Sequence, residues 1–548
     1  MVSTMDFEIL EKDLMGRIGR LKTRHGTIIT PELAPVVNPV HNLVKPSNIC
    51  DIGFKILMTN SYIILKRYGE IGKELGVHRL LGVDCPVMTD SGAYQLMIYG
   101  SVDVTPEEII RYQEDIDSDI GVILDIPTKY DSPRNVVERE VRETLRRARI
   151  SLEIRSREDM LLVGPVQGGR YLDLVEYSAS ELASLDFDVY GIGGPTQIME
   201  QYKYDELVEL IATAKKALPC EKPVHLFGAG NPMMLPFAVA LGVDLFDSAS
   251  YALYAKDLRY MLNNRVIRFD RLSTLPCSCP ICSKSDINEW RELPRSELIE
   301  KIAVHNLYII KAELKKIRQA IHEGTLWELM EARARAHPAL LNCLYNLTRY
   351  FELLEKYDPI IGNIVKGIFT YGEISVWRPE IVRHKKRLLE NYQLPTTDVL
   401  ILMPETEIKP FFRIGPISQI YNILIEKGLK RFEIVIYCSP FGVVPIELDE
   451  VYPLSQYERQ KRLTDIEKEH VINIIMDFLI ANRERFRRLI IVKDPETWGK
   501  KFYDRLTEKL AKININMIEI DTELGVTPYT DAERLAEKII TGITRKIT

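Results

Sequence analysis

Short apolar runs alternate with amphipathic stretches from about residue 40 to residue 260. The runs fall at 86–89, 120–124, 161–166, 187–194, 223–230 and 243–250, and helix-like patterns lie between them. One begins at Thr105, with Pro106 in the first-turn position that proline favours, and another covers 205–216. Strand–helix alternation at this spacing predicts parallel strands with crossover helices. The stretch fits a (β/α)8 barrel better than an open doubly wound sheet, because polar residues follow many strands rather than one switch point. Asp90, Asp125, Gln167 and Asp247 each sit just past an apolar run. At that register the C-terminal strand ends of a barrel meet at one mouth. Singly, such an Asp is usually a helix cap or turn residue; the recurring set is what points to chemistry. Gly191-Ile192-Gly193-Gly194 is no dinucleotide fingerprint, since no third glycine opens a helix at the right distance.

Residues 290 to 358 read as helical, and the pattern breaks near 356–359 and again at 391–397. A second α/β pattern follows: strand 399–403, helix 416–427, strand 432–437, a long helix from Asp465, strand 489–492, helix 501–511 and strand 513–520.

A chain of 548 residues implies several domains, and its 46% hydrophobic and 27% charged content is that of an ordinary globular protein. No run of 18 apolar residues occurs, so no membrane contact is expected. The first residues carry no basic, then apolar, leader pattern, so the expected location is cytoplasmic. A net charge of −6 excludes an all-over basic nucleic-acid binder but not local basic surfaces, and 142–149, 383–387 and 483–488 are basic clusters.

Eight cysteines do not suggest a disulfide framework at this length. Cys50, Cys85, Cys220, Cys343 and Cys438 are scattered and read as small buried hydrophobes. Cys277, Cys279 and Cys282, followed by His305, are different. Three thiolates and one imidazole complete a tetrahedral structural Zn2+ shell with no position open for water. The fold class is therefore α/β: a (β/α)8 TIM-like barrel with a zinc-binding subdomain, followed by a C-terminal α/β domain.

The segments Asp90-Ser91-Gly92-Ala93-Tyr94-Gln95, Leu124-Asp125-Ile126-Pro127-Thr128, Val166-Gln167-Gly168-Gly169, His225-Leu226-Phe227-Gly228-Ala229-Gly230 and Asp244-Leu245-Phe246-Asp247-Ser248, with the Cys3His set, resemble tRNA-guanine transglycosylases of the archaeal type. The resemblance covers about residues 5–350. It implies that guanine at position 15 of tRNA is exchanged for 7-cyano-7-deazaguanine, on the route to archaeosine. It makes Asp247 the nucleophile at ribose C1′ and Asp90 the general acid/base. Asp125 and Gln167 would bond the base edge, Tyr94 and Phe227 would stack on it, and Ser91, Gly193 and Gly194 would line its pocket. Chemically, a retaining displacement at an N-glycosidic carbon needs a carboxylate nucleophile and a second acid/base group, and no cofactor beyond the structural zinc.

Ala93 and Tyr94 stand where the archaeal pattern more often has Ser and Phe. The family's archaeal members usually end in a PUA domain, and none is recognisable here. The partners implied are tRNA, guanine and 7-cyano-7-deazaguanine, with a zinc-subdomain homodimer and a separate PUA-domain protein as further expectations. Residues from 397 resemble a domain of archaeosine synthase. Glu405 holds the place of that enzyme's cysteine, so a structural or RNA-contacting role is expected. The expected divisions are 1–275 for the barrel, 276–358 for the zinc subdomain, 359–396 for a helical linker and 397–548 for the last domain. The competing readings are a catalytically silent tRNA-binding paralogue, an archaeosine synthase-like scaffold and an unrelated barrel hydrolase.

Overall fold

The structure, a computed structural model, describes residues 7–93, 103–362, 364, 366–513, 515, 517–522 and 528–544. Contacts divide the chain into two compact units, Met1–Val365 and Lys366–Thr548.

The first unit opens with an antiparallel meander, β1 (Phe7–Asp13), β2 (Gly16–Thr23) and β3 (Gly26–Ile29). Eight parallel strands follow: β4 (Glu32–Pro35), β5 (Leu57–Asn60), β6 (Val87–Asp90), β7 (Ile120–Val122), β8 (Leu161–Val166), β9 (Val189–Ile192), β10 (Val224–Leu226) and β11 (Leu245–Ser248). Their order is β4-β11-β10-β9-β8-β7-β6-β5. The seam between β4 and β5 is closed just past β4, where Val36 bridges Met58 and the Val37 N–H donates to Met58 O at 2.8 Å. The expected barrel is thus present. Phe7, Leu21 and Ile28 of the meander share one core with Met88, Ile120, Leu161, Val163, Val189 and Leu245 of the barrel interior. The meander therefore packs over the end where the strands begin, and leaves the other end as the mouth.

The helix Pro106–Asp115 starts as its sequence requires. Thr105 Oγ1 accepts from the Glu108 N–H at 3.2 Å, and Glu108 Oε2 accepts from the Thr105 N–H at 2.8 Å. This reciprocal cap satisfies two main-chain donors that a helix start otherwise leaves unpaired.

After the barrel, β12 (Arg259–Met261) and β13 (Val266–Arg268) form a hairpin, and the helix Arg295–Glu323 packs on it. This helix is tied to the first barrel strand by buried charge. Glu32 Oε2 lies 2.6 Å from Lys311 Nζ and 3.0 Å from Arg318 Nη2. An ion this deep is tolerated only when paired, so removing one partner costs several kcal/mol, about 3–5 by analogy with other buried pairs.

In the second unit β14 (Ile368–Thr370), β15 (Val399–Pro404), β16 (Phe432–Cys438), β17 (Gly442–Pro445), β18 (Tyr457–Arg459), β19 (Arg488–Val492) and β20 (Met517–Ile520) occur in chain order. Five of them form one sheet in the order β17-β16-β15-β19-β20, while β14 pairs with β18. The strand expected from residue 513 begins at Met517, because the Ile513 N–H still bonds Leu510 O at 3.1 Å and completes the turn after the preceding helix. Residues 366–396 supply β14 and the helix Pro379–Glu390 to this unit. Glu405 is held inside it by Arg459 Nη2 at 2.9 Å, with the Tyr457 hydroxyl and the Ser439 N–H at 3.3 Å.

Of the scattered cysteines only Cys343 and Cys438 are buried. Cys220 is exposed in the turn before β10, and the partly buried Cys50 and Cys85 meet with their Sγ atoms 2.7 Å apart. Among the described residues no helix is long and apolar enough to cross a membrane.

Candidate active site and metal cluster

Parallel strands of equal hand bring residues far apart in sequence to one rim. Asp90 ends β6, Asp125 lies three residues past β7, Gln167 follows β8, Gly193 follows β9, Phe227 follows β10, and Asp247 is the third of the four residues of β11. Tyr94 lies outside the described residues.

Asp247 is buried and well held. Its Oδ1 accepts from His225 Nε2 at 2.8 Å and from the Gly228 N–H at 2.9 Å. Both bonds go to one oxygen, so Oδ2 remains for a further partner. The β10–β11 register explains the contact: His225 pairs with Leu245, and Asp247 is two residues on, on the same face. Gly228 has φ +68°, and a Cβ there would stand 2.4 Å from Thr196 Oγ1. Only glycine turns its N–H toward Asp247 at this point. The ring of Phe227 lies 4.6 Å from that of His225, centroid to centroid.

Asp90 is partly buried. Its Oδ2 accepts from Asn60 Nδ2 at 2.7 Å and, weakly, from the Gly92 N–H at 3.4 Å. Burial pushes this carboxyl up to about 7. The negative charges of Asp125 and Asp247 push the same way, and the Gly92 and Ser91 N–H groups oppose them. That mutual influence places the three carboxylates in one electrostatic environment. Ser91, fully buried, donates from Oγ to Ile123 O at 2.9 Å and so ties the end of β6 to the end of β7.

Asp125 and Gln167 form a polar pair. Gln167 Nε2 donates to Asp125 Oδ2 at 2.6 Å, while its Oε1 accepts from the Thr128 N–H at 3.1 Å. Burial raises the Asp125 carboxyl to about 6, against the bond from Gln167. Gly193 packs on this amide, and a Cβ there would stand 2.3 Å from Gln167 Nε2. Gly194 caps the short helix Pro195–Glu200. The mouth therefore holds one hydrogen-bonded carboxylate, one carboxyl that gains and loses a proton near neutrality, and an amide–carboxylate edge.

Residues 13–339 match the family model described as queuine tRNA-ribosyltransferase, and 381–536 match a domain of unknown function, DUF5591. A Pyrobaculum aerophilum protein named tRNA-guanine(15) transglycosylase is 46% identical over 459 residues, 83% of this chain and 90% of that protein. An Aeropyrum pernix protein of the same name is 47% identical over 82% of this chain and 87% of its own length. A third of that name, from Methanocaldococcus jannaschii, is 43% identical over 87% of this chain and 72% of its own. The chain belongs to the queuine tRNA-ribosyltransferase family. It is an enzyme, a tRNA-guanine ribosyltransferase.

This chain gathers its soft donors after the barrel strands. One donor atom from each of Cys277, Cys279, Cys282 and His305 lies within 4.8 Å of the others. His305 Nδ1 is 3.6 Å from Cys279 Sγ and 3.4 Å from Cys282 Sγ. Four ligands on a tetrahedral zinc, with bonds of about 2.3 Å to sulfur, stand about 3.8 Å apart, so the set fits. His305 Nε2 donates to Met261 O at 2.8 Å, which leaves Nδ1 unprotonated toward the thiols. Tyr260 stacks on the imidazole with centroids 3.5 Å apart and brings its hydroxyl to 3.1 Å from Cys282 Sγ.

Two residues of the ribosyltransferase mouth gained no role from the sequence pattern. His225 lies in a motif whose other members drew attention, and its signal was strand alternation: it is two residues before Phe227. Asn60 ends β5, the strand paired with β6, and its side chain faces Asp90 because the register sets Asn60 opposite Asp90.

Proposed function

We propose that this ribosyltransferase exchanges guanine at position 15 of tRNA for 7-cyano-7-deazaguanine, by double displacement through a covalent Asp247–ribose ester. Asp247 attacks C1′, the C1′–N9 bond breaks, and the leaving guanine takes its proton from Asp90. The incoming base gives its N9 proton to Asp90 and attacks C1′, so the ester breaks and Asp247 is restored. Two inversions give net retention, and no redox or cofactor chemistry enters. Asp125 and Gln167 bond the edge of the base, Phe227 and Tyr94 cover its faces, and the backbone at Ser91, Gly193 and Gly194 lines the remaining side. An extruded base costs a few kcal/mol of lost stacking, which these contacts offset.

One observation carries this reading. Asp247 is held as an acceptor by His225 and Gly228, while Asp90 in the same field exchanges its proton at about 7. A carboxylate oriented by fixed donors, beside a second carboxyl whose proton affinity is raised by burial, suits a nucleophile and an acid/base. A silent paralogue would have no reason to keep that pair.

We assign the exchange to residues 1–275 and structural zinc to Cys277, Cys279, Cys282 and His305. Incubating the protein with archaeal tRNA and 7-cyano-7-deazaguanine, then analysing the nucleoside at position 15, tests the reading. The modified nucleoside should replace guanosine there. Unchanged guanosine, under conditions where tRNA binds, overturns it.

A further inference from the structure

A second donor cluster lies at the other end of the barrel. His25 sits in the turn between β2 and β3, His78 on the helix Glu70–Leu81, and Asp117 and Asp119 in the loop that enters β7. One donor atom from each of His25, His78 and Asp117 lies within 4.8 Å of the other two. Asp119 precedes β7 and Asp125 follows it, so this cluster is at the opposite face from the mouth.

Asp119 is fully buried and orients both rings. Its Oδ1 lies 3.1 Å from His25 Nδ1, and its Oδ2 lies 3.0 Å from His78 Nε2. A carboxylate bonded to one ring nitrogen fixes the tautomer and leaves the other nitrogen as a lone-pair donor. The His25 and His78 rings also pack with centroids 3.7 Å apart, a geometry that disfavours two imidazolium charges.

Asp117 completes the set. Arg24 and Arg157 both bond its Oδ1, at 2.5 and 2.8 Å, and Oδ2 is turned to His25 Nε2 at 3.6 Å. That separation is too long for a good hydrogen bond. It is close to the roughly 3.3 Å between two nitrogen or oxygen ligands on one tetrahedral ion. Asp117, Asp119 and Asp159 oppose Arg24 and Arg157, three negative charges against two positive, so the site carries one net negative charge before any cation enters. Asp117 also holds its carboxylate from a left-handed backbone, φ +64°.

We propose that His25, His78 and Asp117 ligate a divalent transition-metal ion that staples the β2–β3 turn to the base of the barrel. Two imidazoles and a carboxylate suit Zn2+ or Co2+ and not Mg2+ or Ca2+. The centre is separate from the Cys3His cluster and contains no sulfur.

Co2+ titration of the metal-stripped full chain tests this. Two equivalents should bind at micromolar Co2+. The sulfur site gives intense thiolate-to-cobalt absorption, and the second gives only weak visible bands. His25→Gln, His78→Gln and Asp117→Asn should each lose the second equivalent and keep the first. Asp117→Asn is the mildest, because Asn accepts the left-handed conformation best. Cobalt-edge fine structure of the wild type carrying Zn2+ in the sulfur site and Co2+ in the second guards against variants that fail to fold, and should show only nitrogen and oxygen around the cobalt. A single equivalent, a second that binds only at millimolar Co2+, one that survives all three substitutions, or added sulfur ligation overturns the proposal.

Discussion

His225 fixes the carboxylate of Asp247 from the neighbouring strand, Nε2 to Oδ1, at 2.8 Å. The imidazole is fully buried, and among the described residues its Nδ1 has no hydrogen-bond partner. Among those residues its one side-chain hydrogen bond is therefore to Asp247, the proposed nucleophile. A hydrogen bond to a charged group contributes about 1.5–3 kcal/mol. Replacing His225 by Phe should lower kcat for guanine exchange by roughly 10–100-fold. KM for tRNA should stay near the wild-type value, because the ring is buried and reaches the mouth through Asp247 and Phe227. Steady-state exchange of labelled guanine measures both.

Acid–base behaviour follows from Asp90 and Asp125, raised to about 7 and about 6. Because Asp125 is the larger charged contributor to Asp90, Asp125→Asn should move the inflection in kcat/KM near neutrality to lower pH. A pH–rate series on wild type and variant reads it. Stability has the opposite stake. A carboxyl whose affinity for protons is higher folded than unfolded makes the folded state bind more protons between about pH 4 and 7, so stability falls as pH rises through that window. Asp90→Asn removes that penalty. Its Tm should exceed wild type at pH 8, by a few degrees, and match it near pH 4, while exchange is lost.

Gly193→Ala tests the base edge. The added Cβ would stand 2.3 Å from Gln167 Nε2, so the amide must leave Asp125. KM for the free base should rise about tenfold or more, the equivalent of one lost hydrogen bond to a charged group, with tRNA binding unchanged. Base titrations at saturating tRNA separate the two effects.

Zinc removal should act on the fold around the helix Arg295–Glu323, and on chemistry only through it. The Cys3His set lies beside Tyr260 and Met261 of β12, not at the mouth. Structural zinc contributes on the order of 10 kcal/mol of metal-linked folding energy. Cys282→Ser should lower Tm by ten degrees or more and raise amide exchange in β12 and that helix, while the barrel strands keep their protection. Hydrogen-exchange mass spectrometry locates the loss.

The barrel was legible because its strands and helices have different periods, and because Asp90, Asp125, Gln167 and Asp247 recur at one register. The Cys3His cluster was legible from spacing alone. Other features were not. The meander 7–29 carries no alternation strong enough to stand out ahead of the barrel, and β4 is a four-residue strand, Glu-Leu-Ala-Pro, whose glutamate is stabilised by Lys311 and Arg318 nearly three hundred positions away. No local pattern encodes such a pairing. His225 was hidden for a related reason. Its role depends on the β10–β11 register, which exists only once the sheet has formed.

Mass spectrometry of a protein–tRNA adduct, quenched in acid with no incoming base present and digested to peptides, bears most directly on the double displacement. A ribose ester should map to Asp247 and be missing from Asp247→Ala, which still binds tRNA. An adduct on Asp90, or exchange at the wild-type rate by Asp247→Ala, contradicts it.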